Sequence, residues 1–345
     1  MSEDPARSVL WMIRGAWITM ALRAGVVLGL FDVLGEKLTL EEAAHRTAAD
    51  APTLARLLHS FSDLGLVELG DDGRYRNTDL GDCLSQEHPS RLCDLVLMQA
   101  TLPNLSAWRA LDDAVRTGAG VYELVNGRPS WEDLARDPEA QRVFNAAMAR
   151  RASGQVAAVL AATELTDVGT LVDVGGGKGA MLSGLLQAHP RLRGVLADQP
   201  AVAEEAEAAF ASAGLADRTR CVPTDFFVSV PEGGDVYTIA NVLHDWDDDD
   251  ATTILRTVRA AMPDHGRLLV VEHVLDAPGR TPEELRDVHL VDLHMLVLFG
   301  ARERTQAEYD DLLHDAGFTP SRLADPVAHP GSEWNVLEAR PAAAD

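Results

Sequence analysis

The sequence predicts an α/β fold: a parallel sheet wound by helices, behind a smaller and mainly helical N-terminal part. Three observations predict it. From residue 171 onward, short apolar runs alternate with amphipathic helical segments, the pattern of a doubly wound sheet. One of these runs, LVDV at 171–174, leads straight into a glycine loop and an amphipathic helix starting near Ala180. The first hundred residues instead carry helical spacing and a single hairpin signal.

Each element follows in order. Ile13, Trp17, Met20, Ala21 and Ala24 recur at helical spacing and give an apolar face. LTLEEAAHRTAAD and APTLARLLHSFSDLGL read as two short helices, with Thr39 capping the first and Pro52 opening the second. GLVELGDDGRYRNTDLG reads as a β-hairpin around Asp72-Gly73. Helix, helix and hairpin together suggest a winged helix, but DNA binding is opposed by charge. The second helix carries only Arg56 as a basic residue, between Asp50 and Asp63. The whole chain has a net charge of −24, which argues against nucleic acid and anionic membranes as partners; its only lysines are Lys37 and Lys178. From about Met98 to Thr163 the pattern is helical, with a loop at Asn126–Pro129.

In the α/β part, RGVLADQP is a second strand ending at Asp198, and CVPTDFF places Asp225 and Phe226 after a third. DVYTIAN is a fourth strand, followed by a sharp turn at His244-Asp245-Trp246 and a helix whose Asp247–Asp250 run suits a helix N-terminus. RLLVVEHVL is a fifth, with Glu272 at its end; TPSRLADPV and SEWNVLEARP form a terminal antiparallel hairpin. Cys83, Cys93 and Cys221 show no metal spacing and leave an odd count for disulfides, as expected for a reduced, cytoplasmic protein. The apolar stretch Val9–Leu34 is interrupted by Arg14 and Arg23, too soon for the roughly 20 residues of a membrane span.

The glycine loop supports two readings. Gly175, Gly177 and Ala180 satisfy the G-x-G-x-x-G/A dinucleotide fingerprint. Asp173, Gly175, Gly177 and Gly179 match the D-x-G-x-G-x-G loop of the S-adenosylmethionine methyltransferases. Asp198, ending the second strand, suits both. Downstream motifs break the tie. With His244-Asp245-Trp246 after the fourth strand and Gly300-Ala301-Arg302-Glu303-Arg304-Thr305 later, nearly the whole chain resembles the plant-type and bacterial small-molecule O-methyltransferases.

That resemblance implies a Rossmann-like, seven-stranded class I methyltransferase domain behind an N-terminal α-helical, winged-helix-like dimerisation domain. The expected boundaries are residues 1–100, a helical connector at 101–165 and a catalytic domain at 166–345. It implies a homodimer, S-adenosyl-L-methionine as cofactor with S-adenosyl-L-homocysteine as product, no metal, and a phenolic natural-product intermediate as acceptor. Asp173, Gly175, Gly177, Asp198, Asp225 and Phe226 would meet the cofactor. Phe144, Met148, Arg151, Asp292 and Met295 would meet the substrate. His244 would be the general base, flanked by Glu272 and Glu303. Residue types alone are also consistent with plain core packing for Phe144 and Met148.

His289, Asp292 and His294 form a candidate metal cluster, but on a helix His294 rotates well away from His289, which makes a poor ligand set. Two departures from the plant pattern stand out: Ala240 where plant relatives often have lysine, and Ala301-Arg302 within the G-G-K-E-R-T-like stretch. N- or C-methylation and a non-methylating relative stay open as alternatives on the same scaffold. A nicotinamide oxidoreductase would need a hydride-transfer site that the sequence does not offer.

Overall fold

In the computed structural model, which describes residues 4–324 and 334–343, the chain divides into two units. One comprises residues 1–106 and 128–150, the other 107–127 and 151–345. Residues of the expected connector at 101–165 fall in both units, and the long helix Pro138–Ala162 contributes to each.

In the first unit, Thr39 forms a capping box with Glu42 at the start of helix Leu40–Arg46. Asp50 caps helix Ala51–Asp63, with Pro52 in its first turn. Strands β1 (Val67–Leu69) and β2 (Tyr75–Asn77) pair antiparallel around a turn in which Gly73 has φ +72°. Leu30, Phe31, Leu54, Leu58, Phe61, Val67 and Tyr75 form the core, and the rings of Phe31 and Phe61 lie 5.2 Å apart. The spacing from Ile13 to Ala24 predicts one helix, yet the structure has two, Pro5–Ile13 and Gly15–Val27, bent by 42°. The break falls at Arg14 before Gly15, the residue with least helix propensity after proline. Trp11, Ile13 and Trp17 stay exposed on these helices, at 56%, 64% and 70%. No single described helix is long and apolar enough to cross a membrane.

The second unit is built on β3 (Thr170–Val174), β4 (Arg193–Asp198), β5 (Thr219–Pro223), β6 (Val236–Ala240), β7 (Arg267–Glu272), β8 (Arg322–Leu323) and β9 (Asn335–Ala339). Their order is β5-β4-β3-β6-β7-β9-β8. β3 to β7 pair in parallel, and β9 runs antiparallel to β7 and β8. The pairing of β8 with β9 gives the expected terminal hairpin, although Asp325–Val327, Ser332 and Glu333 of that reading lie outside the described residues. The central parallel strands are mainly apolar because both faces are covered, with Asp173 and Thr238 as a buried hydrogen-bonded polar pair. Val172, Val174, Ile239 and Val270 pack with Ile254, Leu255 and Tyr309. Leu171, Leu196, Val236 and Leu269 pack with Leu182, Leu185 and Phe210. The chain winds from β3 to β4 and β5, then returns to β6 on the other side of β3. Ligands bind such sheets at this switch point, beyond the carboxyl ends of the strands.

Candidate active site

At the carboxyl end of β3 the glycines serve distinct needs. Gly175 has φ +69° and donates to the Ala197 carbonyl at 2.8 Å; a Cβ there would lie 2.7 Å from Val242 Cγ2 and 3.7 Å from the Phe226 ring. Gly177 has φ +57° and donates to Asp198 Oδ2 at 2.8 Å, with nothing within 4 Å of the place its Cβ would take. Asp198 Oδ1 accepts from the Gln199 N–H at 2.7 Å, so this carboxylate fixes the loop to the end of β4. Asp173 is fully buried; its Oδ1 accepts from Thr238 Oγ1 at 2.7 Å, while Oδ2 has no partner. Burial pushes the Asp173 carboxyl up to about 7, against the Thr238 hydrogen bond. The structure thus brings Gly175, Phe226 and Val242 together and ties Gly177 to Asp198. Asp225 is exposed and accepts from the Phe227 N–H at 3.0 Å, closing its own turn.

Past the end of β6, Asn241 takes φ +58° and starts the 3₁₀ turn Leu243–Asp245, which carries His244. Asp247 caps the helix Asp248–Ala261 that follows, accepting from the Asp250 N–H at 2.9 Å. His244, Glu272 and Glu303 are all buried and meet in one cluster. Glu303 Oε1 lies 2.9 Å from His244 Nδ1, whereas Glu272 Oε2 stands 3.8 Å away. The expectation that both glutamates hold the ring is thereby divided. Glu303 touches the ring, while Glu272 Oε1 accepts from the N–H groups of Val242 and Leu243, both at 2.9 Å, and fixes the turn.

An ionised carboxylate at Nδ1 requires a proton on that nitrogen, which leaves Nε2 as the acceptor in the neutral ring. Nε2 has no hydrogen-bond partner, and Asp245 Oδ1 lies 3.5 Å from it. Burial disfavours the imidazolium, but Glu272 and then Glu303 outweigh it and push His244 up to about 9. Burial drives Glu272 up to about 7. Burial also opposes ionisation of Glu303, yet its contact with His244 holds it below the ordinary carboxylate range. The 2.9 Å contact makes Glu303, rather than Glu272, the charged partner of the ring.

The candidate substrate residues are less closely gathered. Arg151 lies over the Trp334 ring, 5.7 Å from its centroid, and its charge acts on Asp245 and Glu303. Met295 is buried on helix Pro282–Phe299. Asp292, on the same helix, accepts from the Glu303 N–H at 2.8 Å and so supports the cluster from behind. His294 stacks on Trp108, whose indole N–H donates to Nδ1 at 3.0 Å; burial and Arg151 lower its pKa to about 4. His294 is thus occupied by Trp108. Phe144 and Met148 belong to the first unit, where Phe144 meets Trp131 edge-on at 5.8 Å. A surface cleft of about 440 Å³, lined by Glu164, Asp235, His265 and Arg267, lies at the amino ends of β3, β6 and β7, the edge away from this chemistry.

Residues 108–319 match the O-methyltransferase domain and residues 10–87 the O-methyltransferase dimerisation domain. The chain belongs to the O-methyltransferase family. Its cofactor is accordingly S-adenosyl-L-methionine. Phenazine O-methyltransferase of Lysobacter antibioticus is 39% identical over 96% of this chain and 95% of its own length. The solved structure of a mitomycin 7-O-methyltransferase superposes with a TM-score of 0.85 at 36% identity, covering 98% of each chain. Another relative, aclacinomycin 10-hydroxylase of Streptomyces purpurascens, is 37% identical over 86% of this chain and 80% of its own. For an O-methyltransferase the residue that sequence reasoning missed is Arg304, wholly buried beside Glu303. An arginine in an Arg-Glu-Arg run reads as a solvated charge, and no local signal marks it as internal.

Proposed function

We propose that the protein methylates a phenolic hydroxyl of an aromatic natural-product intermediate, with His244 as general base and without a metal. The observation that carries this reading is a buried imidazole whose Nδ1 is held by Glu303 and whose Nε2 makes no hydrogen bond, with Asp245 Oδ1 3.5 Å away. The backbone of Gly175–Gly177, Asp198, Asp225 and Phe226 would hold the cofactor, with the open oxygen of Asp173 beneath the loop. A Cβ on Gly176 would lie only 2.4 Å from that oxygen, so the bare backbone passes directly over it. Ala240 adds no polar side chain there. When bound, S-adenosyl-L-methionine supplies an electrophilic methyl group on sulfonium sulfur.

The chain's own part is positioning and proton transfer. His244 Nε2 accepts the phenolic proton while Glu303 keeps the ring oriented and balances the imidazolium that forms. Glu272 contributes through the turn, and Asp292 through the Glu303 backbone. By the family resemblance, Phe144, Met148, Arg151 and Met295 are the proposed contacts of the aromatic acceptor.

Incubation with methyl-labelled S-adenosyl-L-methionine and a panel of polycyclic phenols should give labelled aryl methyl ethers at a rate unchanged by a chelator. Unlabelled hydroxylated product, label on nitrogen or carbon, or loss of activity on chelation would each overturn this reading. The exposed Trp11, Ile13 and Trp17, within the matched dimerisation domain, support a homodimer, which we place in the cytoplasm. Sedimentation at micromolar concentration should show twice the 37.2 kDa chain mass; a monomer there would refute it.

A further inference from the structure

We propose that Arg304 is a positioning residue for methyl transfer: its buried guanidinium clips the His244 turn onto the 302–304 segment and thereby sets the base against Glu303. The inference rests on His244 being the base. Arg304 is fully buried and uses its whole fork. Nη1 donates to the Leu243 carbonyl at 2.8 Å, Nη2 to the Trp246 carbonyl at 2.7 Å, and Nε and Nη2 to Asp248 Oδ1 at 3.0 and 2.9 Å. The two carbonyls bracket His244 and Asp245. The carbonyl of His244 itself accepts from the Arg302 N–H at 3.3 Å, and the Arg302 side chain reaches Asp248 at 2.8 Å.

The turn is thus gripped from two sides. Glu272 takes its N–H groups and the 302–304 segment takes its carbonyls, and the same segment carries Glu303. A planar, five-donor guanidinium can span two carbonyls and a carboxylate at once; a lysine ammonium acts from one point and cannot. The charged groups around the ring are Glu272 on β7, Glu303 on the clip and Asp245 on the turn, with Arg151 and His273 acting on Glu303.

The test follows the His244 Cε1–H resonance against pH, with kcat and calorimetric binding of S-adenosyl-L-homocysteine measured alongside. Arg304→Lys should bind S-adenosyl-L-homocysteine within about twofold of wild type. Its kcat should fall by ~10–100-fold, because a small misplacement of a catalytic group has that cost. The His244 midpoint should move down as the ring leaves Glu303. Asp248→Asn, at the exposed end of the clip, should move the midpoint the same way by less, and it decides the matter if Arg304→Lys does not fold. A wild-type midpoint in the folded variants would reduce Arg304 to a structural residue. Failure of the base assignment would show elsewhere, as full kcat in His244→Ala, while the midpoint shift would still report the clip.

Discussion

Replacing His244 by alanine is expected to lower kcat by ~10²-fold or more while leaving S-adenosyl-L-homocysteine affinity nearly unchanged, because general-base catalysis contributes ~10²–10⁴-fold and the imidazole acts on the acceptor. The pH dependence gives the sign of the same claim. The active form of the base is the neutral ring, and Glu272 and Glu303 push the free-enzyme pKa up to about 9 against the opposing effect of burial. The profile of kcat/KM should therefore rise with pH through a limb well above the unperturbed 6.5 of histidine. Glu303→Gln removes the carboxylate 2.9 Å from Nδ1, so the imidazolium loses its closest stabilising charge and the limb moves to lower pH. The same change weakens ring orientation, so the loss should be larger on the high-pH plateau than near neutrality. Glu272→Gln should cost less, since the amide oxygen can still accept from the N–H groups of Val242 and Leu243. Full kcat in His244→Ala across the whole range would mean that the acceptor arrives already ionised and that proximity alone drives transfer.

What the sequence made legible was local. Strands buried on both faces are continuous apolar runs, which is why β3, β4, β6 and β7 could be read in order. Thr39, Asp247 and the Asp72-Gly73 turn announce themselves because a cap or a tight turn is chosen by neighbouring backbone. The division of labour between the glutamates was not legible. Glu303 is 59 positions from His244, and its reach to Nδ1 depends on how the end of helix Pro282–Phe299 returns the chain to the sheet. Asp292 shows the same limit. Its residue type suits a substrate contact, yet Oδ1 is occupied by a backbone N–H eleven positions on. Arg304 is the extreme case, since charge patterning assigns arginines to the surface and only the fold supplies the carbonyls that let this one be buried. The break at Arg14 is a smaller instance: an apolar face continues through it, but the hydrogen-bonded helix does not.

Gly175→Val should reduce S-adenosyl-L-homocysteine affinity by ~10²-fold or more, about 2.7 kcal/mol, through the protein's own packing as well as the space the cofactor needs. Two costs act together at this position. The φ of +69° lies in the left-handed region, where an L-residue with a Cβ loses about 1–2 kcal/mol. The Cβ would also lie 2.7 Å from Val242 Cγ2. Val242 cannot easily yield, because its N–H is held by buried Glu272 Oε1 at 2.9 Å. The loop must move instead, which loosens the Gly175 bond to the Ala197 carbonyl and the Gly177 bond to Asp198. A double variant separates the two costs. Gly175→Ala combined with Val242→Ala removes the collision and keeps the unfavourable φ, so it should recover part but not all of the affinity that Gly175→Ala alone loses. Calorimetry with S-adenosyl-L-homocysteine, beside a thermal melt that confirms folding, reads both effects. If folded Gly175→Val binds as wild type does, the loop can accept a side chain without disturbing its ligand. The cofactor would then have to sit away from the carboxyl end of β3, and the placement of His244 relative to it would fail with the loop.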